Sequence, residues 1–222
     1  MTDFGDATRR VIEAGFDGVE LHGASGYLIQ QFVSPHSNKR KDEFENPLLF
    51  PIKLIEEVKR VISEHAKKPF LIGYRFSPEE PETPGITMQE TFALIDELVG
   101  ADLDYLHIAT TNAWAKPRLG IVSEKSRTEL IAEYIDRRVP LIGVGSIHTP
   151  DDAAHLLEIG KTDFVAIGRA IIVDPKWVEK VQNHKEETIS QQLKQDQQHE
   201  AVIPTPLWNL ILEVEGWFPV ER

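Results

Sequence analysis

With 222 residues, 41% of them apolar, the chain is long enough to bury one sizeable core, and its formal net charge of −12 argues against nucleic acid or an anionic membrane as partner. It contains no cysteine, which excludes disulfides, thiolate metal sites and cysteine-held iron–sulfur clusters and fits a reducing cytoplasm. The opening MTDFGDATRR lacks the basic-then-apolar pattern of a secretory signal, and no apolar run approaches the roughly 18 residues of a membrane span, so a soluble cytoplasmic protein is expected.

In chain order, a helix over about 3–14 precedes the first apolar run, DGVELH (17–22), which reads as a strand. A helix over 48–65 leads to FLIGYRF (70–76), one over 87–99 to DYLHIA (104–109), one over 124–137 to PLIGVG (140–145), and one over 150–159 to DFVAIG (163–168). A further helix is expected over 175–183. The segment TPDDAAHLLEIG shows how local chemistry sets a helix: Thr149 caps, Pro150 suits the first turn, Asp151 and Asp152 complement the dipole, and Gly160 ends it. After about residue 184 the polar run HKEETISQQLKQDQQHE reads as a solvated helix or linker, and IPTPLWNLILEVEGWF as a short helix that packs back on the body. The expected division is thus 1–183 as the main domain and 184–222 as a C-terminal polar and apolar packing segment.

Five short strands, each followed by a helix, describe an α/β chain with a parallel sheet. A doubly wound sheet would carry a G-x-G-x-x-G turn after its first strand, and LHGASGYL matches that poorly. A (β/α)8 barrel fits better but closes on eight strands, so the expected fold is an incomplete TIM barrel with two open edges.

In such folds the chemistry sits at the C-terminal ends of the strands. The first strand delivers His22, with Ser25 and Tyr27 just beyond, the second Arg75, and the third His107, which reads as structural. The fourth ends in Gly143, Gly145 and Ser146, and the fifth in Gly168 and Arg169. Either glycine turn alone is ordinary turn punctuation, but two from adjacent strands, with an arginine, point to a shared phosphate. Arg75, after a strand that otherwise reads as buried, calls for a bidentate or charge-assisted partner. Trp114 and the C-terminal aromatics read as packing. The acidic SPEEPETPG (77–85) lacks metal-ligand geometry and is expected to be a solvated loop, with no metal.

Four segments carry a resemblance: EAGFDGVELHGASGYLIQQFVSP, IGYRFSP, LIGVGSI and DFVAIGRAIIVDPKW, in that order across about residues 10–178. Together they resemble the old yellow enzyme family, NAD(P)H:flavin oxidoreductases built on an FMN-bearing (β/α)8 barrel, from the helix before its fourth strand to its eighth. The resemblance implies FMN as cofactor and NADH or NADPH as reductant. His22 then corresponds to the hydrogen-bond donor that polarises a carbonyl or nitro oxygen of an electrophilic substrate, and Tyr27 to the acid that protonates carbon. Arg75 corresponds to the cation at the flavin N1 and O2 edge, and Gly145, Ser146, Gly168 and Arg169 to the phosphate loops. Ser25 stands at the second substrate-binding position, where the family usually has His or Asn, and its hydroxyl is too short to reach the same oxygen. The stretch SNKRKDEFENPLLF also lacks the family's Gly-Gly and Asn-Arg.

The resemblance leaves out the family's first three strands. Two readings follow: an FMN-dependent, ene-reductase-like enzyme to which this chain supplies phosphate loops and acid residues, or a non-catalytic truncated or split half-barrel that needs a missing N-terminal half or self-association. A different phosphate-binding barrel enzyme would want a catalytic lysine or carboxylate pair at its strand ends, and neither is read there.

Overall fold

A computed structural model describes residues 1–221. The elements run α1 (Thr2–Glu13), β1 (Gly18–Gly23), α2 (Leu28–Val33), α3 (Leu49–His65), β2 (Leu71–Phe76), α4 (Met88–Gly100), β3 (Tyr105–Ile108), α5 (Arg127–Ile135), β4 (Leu141–Val144), α6 (Pro150–Glu158), β5 (Phe164–Ala166), α7 (Arg169–Val173), α8 (Trp177–Gln182) and α9 (Thr205–Glu213). The strands form one sheet in the order β1-β2-β3-β4-β5, and β1 to β4 pair in parallel. A doubly wound sheet would reverse its strand order at a switch point; this one never does, which makes it a section of a (β/α) barrel.

Helix boundaries follow side-chain caps. Thr87 and Glu90 close a capping box at the start of α4, and Ser126 and Glu129 close another on α5. The second box explains why α5 starts at Arg127 rather than near 124, and Asp136, in the left-handed region at φ 46°, stops it two residues short of 137. The expected cap on α6 is present: the Asp152 amide donates to the Thr149 hydroxyl, while the Asp152 carboxylate accepts from the His148 and Thr149 amides. Two short helices, α2 and α7, have six and five residues, too few for helical periodicity to show beside the strands they follow.

An aspartate before a strand recurs as a joint between neighbours. Asp104 accepts from the Ile72 amide at 2.7 Å, and Asp163 accepts from the Leu141 amide at 2.8 Å, so each reaches back to satisfy a donor at or near the start of the preceding strand. Asp17, ahead of β1, pairs instead with the Lys68 ammonium at 2.6 Å.

The chain divides into two compact units, one of Met1–Gly145 with Leu156–Val165 and one of Ser146–His155 with Ala166–Arg222. In the first, Leu21, Ile72, Tyr74, Phe76, Leu106, Ile108 and Leu141 face the helices and join Leu54, Ile55, Val58, Ile95, Leu98 and Ile131 in one buried cluster. In the second, Val173, Leu193, Ile203, Trp208, Ile211 and Phe218 form the core, and Ala170, Trp177 and Ile189 a smaller cluster. The polar run after residue 184 contains one 3-10 turn, Glu186–Thr188, and no α-helix; a single bridge joins Leu193 to Val220. Among the described residues no helix is long and apolar enough to cross a membrane.

The acidic segment 77–85 corrects the expectation of a solvated loop. The Glu79 side chain is 2% exposed; it accepts from the Arg118 amide and pairs with Arg127 at 3.3 Å. Glu80 accepts from Gln30, from the Ser34 hydroxyl and from the Ile86 amide. A buried carboxylate persists where its lone pairs are filled, and the buried Glu79 with the half-buried Glu80 ties the loop after β2 to α5 and α2.

Candidate active site at the strand ends

The end of β1 is shaped by Gly23. A Cβ there would lie 2.3 Å from the Tyr74 hydroxyl, so only glycine lets the strand pass over that buried ring. Beyond it, Ser25 and Gly26 both adopt left-handed backbone, at φ 60° and 72°, and turn the chain sharply. The turn is pinned by the Ser25 amide donating to the Ser77 hydroxyl, the Gly26 amide donating to Gln30, and Gln31 donating to the Gly26 carbonyl. Its effect is to fold Tyr27 back beside His22, ring centroids 5.3 Å apart. His22, Ser25 and Tyr27 are all exposed, with Tyr27 at 61%. Two groups able to donate protons thus stand together at a strand's C-terminal end, facing open space.

Next to them, the sheet face turned away from the helices carries a polar array. Strand alternation puts Glu20 and His22 of β1, Gly73 and Arg75 of β2, and Tyr105 and His107 of β3 on that face. The register aligns them in two cross-strand rows, Glu20–Gly73–Tyr105 and His22–Arg75–His107. His107 bonds Glu20 through Nδ1 at 2.9 Å. Burial pushes the Glu20 carboxyl upward, but the bond and charge of His107, the charge of Arg75 and a bond from Tyr105 outweigh it and hold the group below the usual carboxylate range. Burial, then the Glu20 charge, pushes the Tyr105 phenol up to about 12. Arg75 Nε and His107 Nε2 are buried without a hydrogen-bond partner among the described residues. Side by side, these two orphaned atoms fit a polar ligand on this face, including the ring or ribityl of a flavin. Glu20, Gly73 and Tyr105 stand out in no motif, although alternation in DGVELH, FLIGYRF and DYLHIA places them on the faces of His22, Arg75 and His107 respectively.

The phosphate-loop residues fall in both units. Gly145, in the first, has φ 118°, and a Cβ there would come within 2.9 Å of the Asn112 and Ala113 amides and the Thr110 carbonyl; its own carbonyl accepts from Ala113. Only glycine fits that close approach. In the second unit, Ser146 is in the left-handed region at φ 55°. Gly168 precedes α7 with open space where a side chain would be, and Arg169 donates from Nη1 to the Trp217 carbonyl at 3.1 Å, a bond that does not use its Nη2 or Nε. A cavity of about 570 Å³ in the first unit is lined by Glu133, Arg137, Lys161 and Asp163, at the end where the strands begin, so it belongs to none of these residues.

Comparison with known proteins bears on the family and the fold. Residues 1–188 match the NADH:flavin oxidoreductase / NADH oxidase family. A probable NADH-dependent flavin oxidoreductase of Bacillus subtilis is 50% identical over 220 residues, covering 97% of this chain and 59% of that protein. An NADH:acrylate oxidoreductase of Vibrio harveyi is 44% identical over 218 residues, covering 94% of this chain and 21% of its own length. Morphinone reductase in complex with tetrahydroNAD superposes with a TM-score of 0.64 at 26% identity, over 83% of this chain and 48% of that one. The chain therefore spans between 21% and 59% of the length of these relatives. With the strand order, the strand-end residues and a family match over most of its length, this chain belongs to the NADH:flavin oxidoreductase / NADH oxidase family, the old yellow enzyme group, and carries five of its barrel strands.

Proposed function

We propose that this chain supplies the substrate-facing acid residues and the phosphate loops of an FMN-dependent oxidoreductase that takes electrons from NADH or NADPH and reduces an activated alkene or related electrophile. The observation that carries this reading is the pairing of His22 with Tyr27 at the end of β1, with His22 in the same cross-strand row as the orphaned Arg75 and His107 nitrogens. FMN, when bound, supplies the two-electron redox chemistry. His22 donates an N–H to the substrate's carbonyl or nitro oxygen and so draws electron density from the alkene. Tyr27, held beside it by the Ser25–Gly26 turn, gives its hydroxyl proton to the carbon that needs one. Ser25 lies at the second substrate position but presents only a short hydroxyl, so His22 does most of the orienting there. Arg75 would place positive charge beside the flavin ring; Gly145 in the first unit, and Ser146, Gly168 and Arg169 in the second, each stand at a phosphate-loop position that would offer backbone N–H groups or a guanidinium.

A second reading rests on the sheet edge: among the described residues β1 is paired only with β2, and Asp17 before it takes a lysine where Asp104 and Asp163 take a neighbouring strand's amide. An unpaired parallel edge is a template for further strands, and a missing half or a second copy would fill it. Purified chain tests both. A stoichiometric flavin spectrum with NAD(P)H oxidation supports the enzyme reading for the chain as it stands, whereas colourless protein that self-associates in light scattering supports the half-barrel.

A further inference from the structure

Glu20 and His107 lie two strands apart, yet their side chains meet at 2.9 Å. Adjacent strands are about 4.8 Å apart, so a bond from β1 to β3 must cross β2 over a gap of roughly 10 Å. The residue beneath that crossing is Gly73, the register partner of both Glu20 and Tyr105. A Cβ on Gly73 would lie 2.1 Å from the Tyr105 ring, so the absence of a side chain is what lets the ring lean across β2 and the carboxylate reach over it. An ionised carboxylate has no proton to give, so Nδ1 of His107 carries the proton in that bond. The ring is thereby pinned, and its Nε2, on a residue 9% exposed, is left buried and unpartnered beside the equally unpartnered Nε of Arg75. Partnerless buried polar atoms are costly unless a ligand completes them, and these two, unlike the Tyr74 hydroxyl and Arg127 Nε, belong to residues paired in register on one sheet face.

We propose that His107 is a second contact residue for the polar part of FMN, next to Arg75, and that Glu20 is the positioning residue that fixes its orientation and tautomer through the gap at Gly73. The proposal rests on the FMN reading above. An arginine N–H beside an imidazole nitrogen matches a ligand in which an acceptor adjoins a hydroxyl or imide N–H, chemistry that a flavin offers both at its pyrimidine edge and along its ribityl chain.

The test titrates FMN, and lumiflavin, which lacks ribityl and phosphate, into purified wild-type, His107→Phe, His107→Gln and Glu20→Gln protein by flavin fluorescence. Melting temperatures and the nitrogen–proton NMR correlations of the His107 ring are recorded on the flavin-free proteins. Loss of one buried polar contact predicts about tenfold weaker FMN binding in His107→Phe, partial recovery in His107→Gln, and a smaller loss in Glu20→Gln with the Nδ1 proton no longer dominant. A parallel loss for lumiflavin places the contact on the ring, and a loss for FMN alone places it on the ribityl chain; both sustain the proposal. Unchanged FMN affinity in His107→Phe overturns it, and a lowered melting temperature alone would make His107 structural. If the wild-type chain binds no FMN, the cofactor reading fails and the contact with it. An undisturbed Nδ1 proton in Glu20→Gln overturns the role of Glu20 by itself.

Discussion

Along β3, Leu106 and Ile108 point into the helices and are fully buried in an apolar cluster, while Tyr105 and His107, on the same four-residue strand, point the other way into a polar array with Glu20 and Arg75. The helix side is filled almost wholly by apolar side chains, the buried Tyr74 hydroxyl being the exception that also lacks a partner among the described residues. The opposite side holds two buried nitrogens without partners. The difference separates what makes this chain fold from what makes it useful: one face gains by excluding water, and the other keeps polar groups that only a ligand satisfies.

The largest effect should come from the helix side. Leu106→Ala removes a side chain with no exposed surface and leaves a cavity among α4, α5 and the sheet, and a loss of about 2–5 kcal/mol in urea-induced unfolding is expected. A loss below about 1 kcal/mol would mean that the two faces do not divide the work in this way. On the polar face the corresponding weak point is Gly73. Gly73→Ala sets a methyl against the Tyr105 ring, and a loss of about 1–3 kcal/mol is expected, with the Glu20–His107 bond broken in the NMR spectrum.

The division between the faces also explains what could be read from the chain. Strand positions were legible because each apolar run is short and bounded, and the family segments named His22, Tyr27 and Arg75. Alternation alone put Glu20 on the face of His22. What it could not show is that Glu20 reaches β3, since that depends on the register of three strands and on a glycine between them. The loop at 77–85 reads as solvated for a related reason: its glutamates find Arg118, Arg127, Gln30 and Ser34, all distant in sequence, only once the chain is folded. The aspartates before the strands are similar, because each is satisfied by the strand that precedes it in the sheet.

A smaller effect should follow pH. The Glu20 carboxyl titrates below its ordinary value of 4.5 when folded, so the chain gains stability from it above that pH and loses the gain as pH falls through the folded value. Glu20→Gln should therefore be less stable than wild type near neutrality, with the two curves converging as the solution is acidified below about 4.5. Because the side chain is 28% exposed, screening keeps the difference modest. A gap that stayed constant down to strongly acidic pH would show that His107, Arg75 and Tyr105 do not favour the charged form.

The smallest change in stability is expected where the chemistry is proposed. His22 and Tyr27 are exposed and contribute nothing to the helix-side cluster, so His22→Ala should change unfolding free energy by no more than about 0.5 kcal/mol. Tyr27→Phe keeps the ring that lies beside His22 and removes only the hydroxyl, which isolates its proton from its packing. In protein that turns over an activated alkene with NAD(P)H, Tyr27→Phe should slow product formation by about 10²–10⁴-fold if that hydroxyl is the acid. His22→Ala should instead weaken substrate binding and polarisation together. A melting temperature that fell as far in either variant as in Leu106→Ala would assign these residues to the fold, and the contrast between the two faces would end at the strand tips.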